Sequence, residues 1–195
     1  DNCPGVTTTR TSGLPSGATF GLGGTTQTFL GTDGSGLTST CSFDVTVTDN
    51  ENPVLACPGN IGANTSPGVC TAPVSFIAPT ASDNCPGVTT SQTSGLASGA
   101  LFPLGPTTQT FLGTDGSGQT TTCSFDVTIT DNESPALSCP ANIGTNTDPG
   151  VCTAAVNFAT PSATDNCPGV STSQTAGLPS GSPLPRGSTT QTILG

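Results

Sequence analysis

The residues best able to do chemistry in this sequence are carboxylates that recur at fixed intervals. Asp and Glu total 12 against only 2 Lys and Arg, and residues 52–133 contain no basic side chain. Five acidic positions recur at a spacing of 82 residues: Asp1/Asp83/Asp165, Asp33/Asp115, Asp44/Asp126, Asp49/Asp131 and Glu51/Glu133. Hard oxygen ligands without His suit Ca²⁺. A cation is therefore the small partner that this set of residues favours.

We expect this calcium at the junction between successive 82-residue repeats. In an immunoglobulin-like topology the last strand leaves at the pole where the next repeat begins, beside two later acidic turns. The residues predicted to bind calcium are Asp49, Asn50, Glu51, Asp83 and Asp115. The alternative is that the acids only cap turns, with Asp83 in an Asx turn and Asp115 in a hairpin turn. Asp44 and Asp126 alternate with apolar residues and are expected to be solvated.

Nine cysteines form the second reactive set, with four in each full repeat. Their spacings contain no Cys-x2-4-Cys motif, which favours disulfides over a zinc site and indicates an oxidising compartment. Four cysteines allow three pairings, and the expected strand directions favour Cys57–Cys70 across a first hairpin and Cys85–Cys123 at one pole. The same rule predicts Cys3–Cys41 and Cys139–Cys152, and leaves Cys167 to pair outside the chain.

The composition excludes most classes of enzyme. The sequence contains no His, Lys, Met, Trp or Tyr, so Ser-His-Asp and Cys-His catalysis are impossible. A glycosidase-like pair of acids is disfavoured because the same acids recur in every repeat and only 4% of the residues are aromatic. The net charge of −10 argues against nucleic acid and anionic membranes as partners. We expect no enzyme, no cofactor other than calcium and no membrane insertion of this segment.

The chain is an array of repeats. The sextet Asp-Asn-Cys-Pro-Gly-Val begins at Asp1, Asp83 and Asp165, and residues 1–51 share 42 of 51 positions with residues 83–133. A period of this length fits a small β domain better than a solenoid unit. We therefore expect the C-terminal part of one repeat over 1–51, a complete repeat over 52–133 and the N-terminal part of another over 134–195. The chain is then a window on a longer array.

Alternating apolar and polar residues predict short strands rather than helices. The clearest alternation is at 123–129, and it recurs at 41–47. Further strands are predicted at 54–57, 70–77, 88–93 and 107–114. Strands this short, separated by Pro-Gly and Asp-Gly turns, are typical of a β-sandwich. The predicted fold is all-β: tandem immunoglobulin-like β-sandwich domains, stabilised by disulfides and arranged as an extended rod.

Several motifs resemble the hyalin repeat (HYR) domain, in order and over the whole chain. They are Pro-Val-Leu-Ala-Cys-Pro at 53–58, Asp-Asn-Cys at 83–85, the segment 98–105, Thr-Asp-Gly-Ser-Gly at 114–118 and the segment 123–131. The sequence departs from the family at Val74-Ser75-Phe76, where a Trp-containing strand is expected, and at Gly118-Gln119, where Gly-Asn is common. The near-identical repeats, rich in Thr, Gly and Ser, are also similar to those of large bacterial surface proteins.

The resemblance implies immunoglobulin-like sandwiches in tandem, an extracellular, secreted or cell-surface location, and a role in adhesion or surface matrices without catalytic residues. Two functions remain in view. The first is a structural array that forms a stalk, fibre or filament, whose partners are neighbouring copies or repeats of the same protein. The alternative is an array of weak adhesive modules that binds cells, glycans or matrix by avidity.

Overall fold

The regular secondary structure of the described residues consists of β-strands joined by turns and loops. The computed structural model describes Asn2 and residues 4–195, and this part of the chain contains 17 strands and no helix. The all-β class and the tandem immunoglobulin-like β-sandwich are thereby confirmed. The strands are β1 (Thr7–Ser12), β2 (Gly23–Thr32), β3 (Thr38–Val47), β4 (Val54–Ala56), β5 (Ile61–Asn64), β6 (Thr71–Pro73), β7 (Thr80–Ser82), β8 (Thr89–Ser94), β9 (Leu101–Pro103), β10 (Gly105–Thr114), β11 (Thr120–Thr130), β12 (Ala136–Ser138), β13 (Thr153–Ala155), β14 (Ser162–Thr164), β15 (Ser173–Ala176), β16 (Pro183–Pro185) and β17 (Thr192–Leu194).

The first segment forms an antiparallel sheet with the order β1-β2-β3. Strands β2 and β3 pair residue by residue from Gly23 opposite Val47 to Thr32 opposite Thr38. The turn between them is capped by Asp33, whose Oδ1 accepts backbone N–H groups of Ser35 and Leu37, both at 2.8 Å. An Asp at the start of Asp-Gly-Ser-Gly thus closes the hairpin through its own side chain, as Asp does in tight turns.

The middle repeat contains a four-stranded sheet with the order β5-β11-β10-β8 and two short pairs, β4-β7 and β6-β9. Strand β5 runs parallel to β11, with Ile61 opposite Val127 and Asn64 opposite Thr130. The strands predicted at 88–93, 107–114 and 123–129 correspond to β8, β10 and β11. The strand predicted at 70–77 is observed only as the three-residue β6, and β5, β7 and β9 were not predicted.

The last segment repeats this pattern as far as its residues allow. Its pairs β12-β14, β13-β16 and β15-β17 stand where β4-β7, β6-β9 and β8-β10 stand in the middle repeat. Residues 143–146, which match β5, form no strand. A β-strand needs a neighbour to pair its backbone groups, and residues 134–195 do not include the counterpart of β11.

The best-packed core lies among residues 57–79, 92–111 and 123–195, one of two compact units in the chain. Phe102 and Val127 are completely buried there. The ring of Phe125 stacks on Phe111 at a centroid distance of 6.2 Å and meets the edge of Phe76 at 5.2 Å. Phenylalanine side chains are thus packed together with aliphatic ones such as Val127 in this core.

One polar side chain, the amide of Gln109, is buried within the core. Gln109 is fully buried, its Nε2 donates to the carbonyl of Thr107 at 3.2 Å, and its Oε1 accepts from Gln92 Nε2 at 2.9 Å. Gly95 passes directly over this amide with φ +94°, and a Cβ there would overlap the Gln109 side chain. Only glycine allows the backbone to approach so closely in that conformation.

Two disulfides are present among the described residues, and neither is a predicted pair. Cys57 bonds to Cys123 and Cys70 bonds to Cys167. The predictions Cys57–Cys70, Cys85–Cys123 and Cys139–Cys152 are therefore wrong, as is the prediction that Cys167 pairs outside the chain. The Cys3–Cys41 prediction lies outside the described residues, because Cys3 is not described. Within the described part of the chain, Cys41, Cys85, Cys139 and Cys152 form no disulfide.

The observed pairs follow from a strand arrangement that the predictions did not include. We expected the segments around Cys57 and Cys70 to form one hairpin, but β4 pairs with β7 and β6 pairs with β9. Strand β5 instead lies beside β11, where each residue faces the one 66 positions later. Cys57 and Cys123 have this same separation of 66. The disulfide therefore extends the register of the parallel pair.

Candidate functional site

Two Asx turns bring acidic residues together after β3 and after β7. Asp83 Oδ1 accepts the backbone N–H of Cys85 at 2.9 Å, and Asp49 Oδ1 accepts that of Glu51 at 3.2 Å. In both turns an Asp side chain replaces a backbone carbonyl as the acceptor. One carboxylate oxygen of each Asp is thereby fixed, and the other is left to face its surroundings.

These two turns meet at a cluster formed by Asp49, Asp83 and Cys85. One oxygen of each carboxylate and the Cys85 sulfur all lie within 4.8 Å of one another. All three residues are half-buried. We call this group the first junction cluster, because its members stand on either side of the predicted start of the middle repeat.

A third carboxylate stands next to the first junction cluster. Asp115 is only 6% exposed, and its Oδ1 accepts backbone N–H groups of Ser117 at 2.9 Å and Gln119 at 2.8 Å. Its turn also touches the neighbouring segments: Gln119 Nε2 donates to the Asp49 carbonyl at 3.2 Å, and a Cβ on Gly116 would lie 2.8 Å from the Pro86 carbonyl oxygen. The glycine is what allows the two turns to pack together.

The pKa of the Cys85 thiol is affected by its burial and by these carboxylates. Burial raises the pKa of the Cys85 thiol above its ordinary value. A hydrogen bond to the Asp49 carboxylate and the charges of Asp49, Asp83 and Asp115 raise that pKa further. The thiol therefore stays protonated to a higher pH than an isolated cysteine would.

The cluster has unused acceptor capacity. The Oδ2 atoms of Asp49, Asp83 and Asp115 are buried and have no hydrogen-bond partner among the described residues. A buried anionic oxygen without a donor or cation is costly. Unpaired carboxylate oxygens of this kind are the donors that a hard divalent cation prefers.

Of the five predicted calcium ligands, Asp49 and Asp83 belong to the close group, Asp115 lies in the neighbouring turn, and the other two are outside it. Asn50 and Glu51 are exposed, and Glu51 is not a member of the close group. The turn-capping interpretation is also right in its geometry, because Asp83 forms an Asx turn and Asp115 caps a hairpin. Cys85 was not among the predicted members of the site, although it follows Asp83 by two residues.

Asp44 and Asp126, which were expected to be solvated, form hydrogen bonds on the sheet instead of joining a junction cluster. Asp44 is exposed and Asp126 half-buried, and each accepts a 2.7 Å hydrogen bond from a cross-strand threonine, Thr26 and Thr108 respectively. Cross-strand pairs of this kind stabilise a sheet locally. These two carboxylates are therefore useful controls for any experiment on the junction.

A second junction cluster has the same composition one period later. It consists of Asp131, Asp165 and Cys167, whose ligand atoms also lie within 4.8 Å of one another. Asp165 Oδ1 accepts the Cys167 N–H at 2.9 Å, and Asp131 Oδ1 accepts that of Glu133 at 3.1 Å. Here, however, the cysteine is oxidised, because Cys167 is bonded to Cys70. Identical loops therefore exist in two chemical states in one chain.

No helix in the described part of the chain is long and apolar enough to cross a bilayer.

Comparison with known proteins accounts for nearly the whole chain. The HYR domain family matches residues 1–47, 48–129 and 130–194. Hyalin of Strongylocentrotus purpuratus is 35% identical over 189 residues, which is 91% of this chain and 15% of that protein. Hyalin of Lytechinus variegatus is 29% identical, covering 75% of this chain and 28% of that protein. The serine-rich adhesin for platelets of Staphylococcus aureus is 28% identical, covering 68% of this chain and 7% of that protein. The chain thus spans a minor part of each relative.

Proposed function

Because the chain belongs to the HYR domain family, we propose that it is part of an extracellular array of structural repeats that forms a stalk, fibre or filament. One observation carries this proposal: the three family matches follow one another without a single residue between them. An array without linkers has little freedom at its junctions. Such a sequence suits a protein whose role is to provide length and mechanical resistance, and no catalytic role is required.

Two details of the sequence analysis stay predictions within this proposal. One is the division at 51/52 and 133/134, which lies four residues beyond the boundaries of the family matches. The other is the likeness to bacterial surface proteins, since relatives are found in Strongylocentrotus purpuratus as well as in Staphylococcus aureus. The extended rod is likewise part of the proposal.

Electron microscopy and sedimentation test the structural role. The purified chain should form elongated particles, and at rising concentration these should associate laterally or end to end into filaments. A chain whose disulfides have been reduced and alkylated is the control, because it has the same sequence but lacks the cross-links. Compact monomers at every concentration would contradict the scaffold proposal.

An adhesive array is the alternative, and a relative supports it. The Staphylococcus aureus protein that matches 68% of this chain is named as an adhesin for platelets. Weak contacts that recur every 82 residues would gain strength by avidity. A solid-phase assay separates the two roles: beads coated densely with the chain should capture platelets, glycan-coated surfaces or matrix proteins if it is adhesive. Binding no greater than that of the reduced and alkylated chain favours the scaffold.

We further propose that the first junction cluster binds one Ca²⁺ through Asp49, Asp83 and Asp115. What supports this is the set of three buried Oδ2 atoms without hydrogen-bond partners, in a repeat that has no Lys or Arg to neutralise them. Carboxylate oxygens suit Ca²⁺, whereas a thiol does not. Cys85 is therefore a neighbour of the ion rather than a ligand.

Thermal denaturation with and without metal tests the calcium proposal. A ligand at one hundred times its Kd stabilises the state that binds it by about 2.7 kcal/mol, so Ca²⁺ should raise the melting temperature and EDTA should reverse the change. The double variant D49N/D83N should lose this response. The control D44N/D126N removes the same number of charges from surface hydrogen bonds to threonine and should keep it. Equal melting temperatures in Ca²⁺ and EDTA would reject the site without affecting the array proposal.

A further inference from the structure

We propose that the Asp-Asn-Cys loop of each repeat is a docking site for a turn of the preceding repeat, and that a disulfide locks the two together. The partner that this surface fits is another copy of the same repeat. In the structure the loop is 165–167 and the turn is 65–70. The inference goes beyond the proposed function, because it holds equally for a scaffold and for an adhesive array.

The covalent link crosses a repeat boundary. Cys70 belongs to the repeat predicted over 52–133, and Cys167 belongs to the one that follows. The bond joins residues 97 positions apart whose Cα atoms lie 4.8 Å from each other. Cys167 is only 7% exposed, so this bond is embedded in the protein rather than placed on its surface.

Directed hydrogen bonds accompany the disulfide. Asn166 Nδ2 donates to Thr65 Oγ1 at 3.3 Å and to the Val69 carbonyl at 3.2 Å. The Thr65 hydroxyl in turn donates to Asp131 Oδ1 at 3.3 Å, which belongs to the second junction cluster. Thr65 is buried at 7% exposure. The side chain next to Cys167 therefore recognises the turn at two points.

Hydrogen bonds also fix the turn to the end of its own repeat. The N–H of Thr65 donates to the Thr130 carbonyl at 2.9 Å, and the N–H of Gly68 donates to Glu133 Oε2 at 2.9 Å. Both acceptors lie at or just beyond the end of β11. The turn is thus presented at the point where one repeat ends and the next begins.

Each half also exists elsewhere in the chain without its partner, in the same local conformation. The turn at 147–152 differs from that at 65–70 only by Asp148 in place of Ser66. The N–H of Asp148 donates to the Thr153 carbonyl at 2.8 Å, as that of Ser66 donates to Thr71 at 2.8 Å.

The Asp-Asn-Cys loop likewise has the same conformation with and without its partner. The backbone N–H of Cys85 is held by Asp83 at 2.9 Å, the same length as the bond between Cys167 and Asp165. Both halves of the interface are therefore preformed, which lowers the entropic cost of docking.

The two observed bonds also explain why other cysteines have no partner here. Cys139 and Cys152 correspond to Cys57 and Cys70, and partners 66 and 97 residues later would lie beyond residue 195. Cys41 and Cys85 correspond to Cys123 and Cys167, and partners 66 and 97 residues earlier would lie before residue 1. Wherever further repeats flank these positions, each junction would hold one such disulfide, which forms when its two thiols pass two electrons and two protons to an oxidant such as a small-molecule disulfide. A proteolytic cut between two repeats would then leave them joined.

The sequence provides a direct test, because its two glutamates, Glu51 and Glu133, stand at the predicted repeat boundaries. The oxidised full chain is treated with N-ethylmaleimide in urea at slightly acidic pH, where free thiols are still alkylated but thiol–disulfide exchange is slow, and is then cut with a Glu-specific protease. We expect fragment 52–133 to remain joined to fragment 134–195, with 1–51 released. Adding a reductant should separate the pair. Peptide mapping should also find Cys85, Cys139 and Cys152 alkylated.

Two variants make the outcome specific. C70S and C167S should each release all three fragments without reductant, whereas C57S should keep the joined pair, because the Cys57–Cys123 bond lies within one fragment. Release of three separate fragments from the oxidised native chain would overturn the proposal. That result is what disulfides confined within each repeat would produce.

Discussion

The two Asp-Asn-Cys loops of the described chain have the same sequence but different partners. Residues 83–88 and 165–170 are identical, and in both loops the Asp side chain holds the cysteine N–H at 2.9 Å. Cys167 is bonded to Cys70, while Cys85 remains a thiol beside Asp49. The loop conformation is therefore set locally, and the docking proposal attributes the state of its cysteine to the turn of the preceding repeat.

The largest expected difference is mechanical. The two disulfide loops overlap, because Cys70 lies between Cys57 and Cys123 while Cys167 lies after both. The shortest covalent path along the oxidised chain therefore uses only the Cys70–Cys167 bond, which shortens the path by 97 residues. At about 3.4 Å per extended residue, reduction should lengthen the fully stretched chain by about 330 Å. Single-molecule stretching with and without a reductant measures this change.

Variants assign that length to one bond. C57S should keep the short path of the native chain, because its Cys70–Cys167 bond is intact. C70S should show a longer stretched length, because the remaining bond skips only 66 residues. Equal lengths for C70S and the native chain under oxidising conditions would contradict the overlapping arrangement.

The next effect concerns stability. Removing a disulfide that closes a loop of about 100 residues costs about 4 kcal/mol in the chain-entropy view. The double variant C70S/C167S, which leaves no odd thiol, should therefore unfold at a clearly lower urea concentration. C85S changes the identical loop without breaking a bond and should shift the free energy of unfolding by less than about 0.5 kcal/mol. Circular dichroism is the suitable measurement, since the chain has no Trp or Tyr.

A smaller effect separates the polar contacts of the docked loop from those of the free loop. Asn166 makes two hydrogen bonds to the turn at 65–70, whereas its counterpart Asn84 is exposed. N166A should destabilise the chain by about 1 to 2 kcal/mol, and N84A should have an effect close to zero. Equal losses for the two variants in urea denaturation would mean that Asn stabilises the loop itself rather than the interface.

The sequence predicted those features that depend on local pattern. Alternation identified β8, β10 and β11, and Asp next to Gly identified the turns. The expected topology, in which the last strand of one repeat ends where the next repeat begins, also predicted that Asp49 and Asp83 lie at one site. Strand β5 was not predicted, because Ile-Gly-Ala-Asn is short and contains a glycine, which weakens the strand signal of an isolated segment.

The disulfides were mispredicted for a related reason. β5 acquires its structure from a parallel neighbour 66 residues away, and nothing in four local residues encodes that pairing. The Cys57–Cys123 bond depends on the same long-range register. The Cys70–Cys167 bond requires a contact between two repeats, which a rule confined to a single repeat could not include.

The smallest expected effect tests the free loop by its chemistry. In EDTA at pH 8, Cys85 should react with iodoacetamide several-fold more slowly than the exposed Cys139 and Cys152, because half-burial and the neighbouring acids raise its pKa and less thiolate is present. D49N removes the hydrogen-bonded carboxylate and one negative charge, so the pKa of Cys85 should fall and its reaction should accelerate. D44N, which changes a distant carboxylate bonded to Thr26, should leave the rate unaltered. Mass spectrometry of each alkylated peptide gives the rates. If D49N and D44N proved equal, Asp49 would not control the thiol, and the difference between the two loops would rest on the missing turn alone.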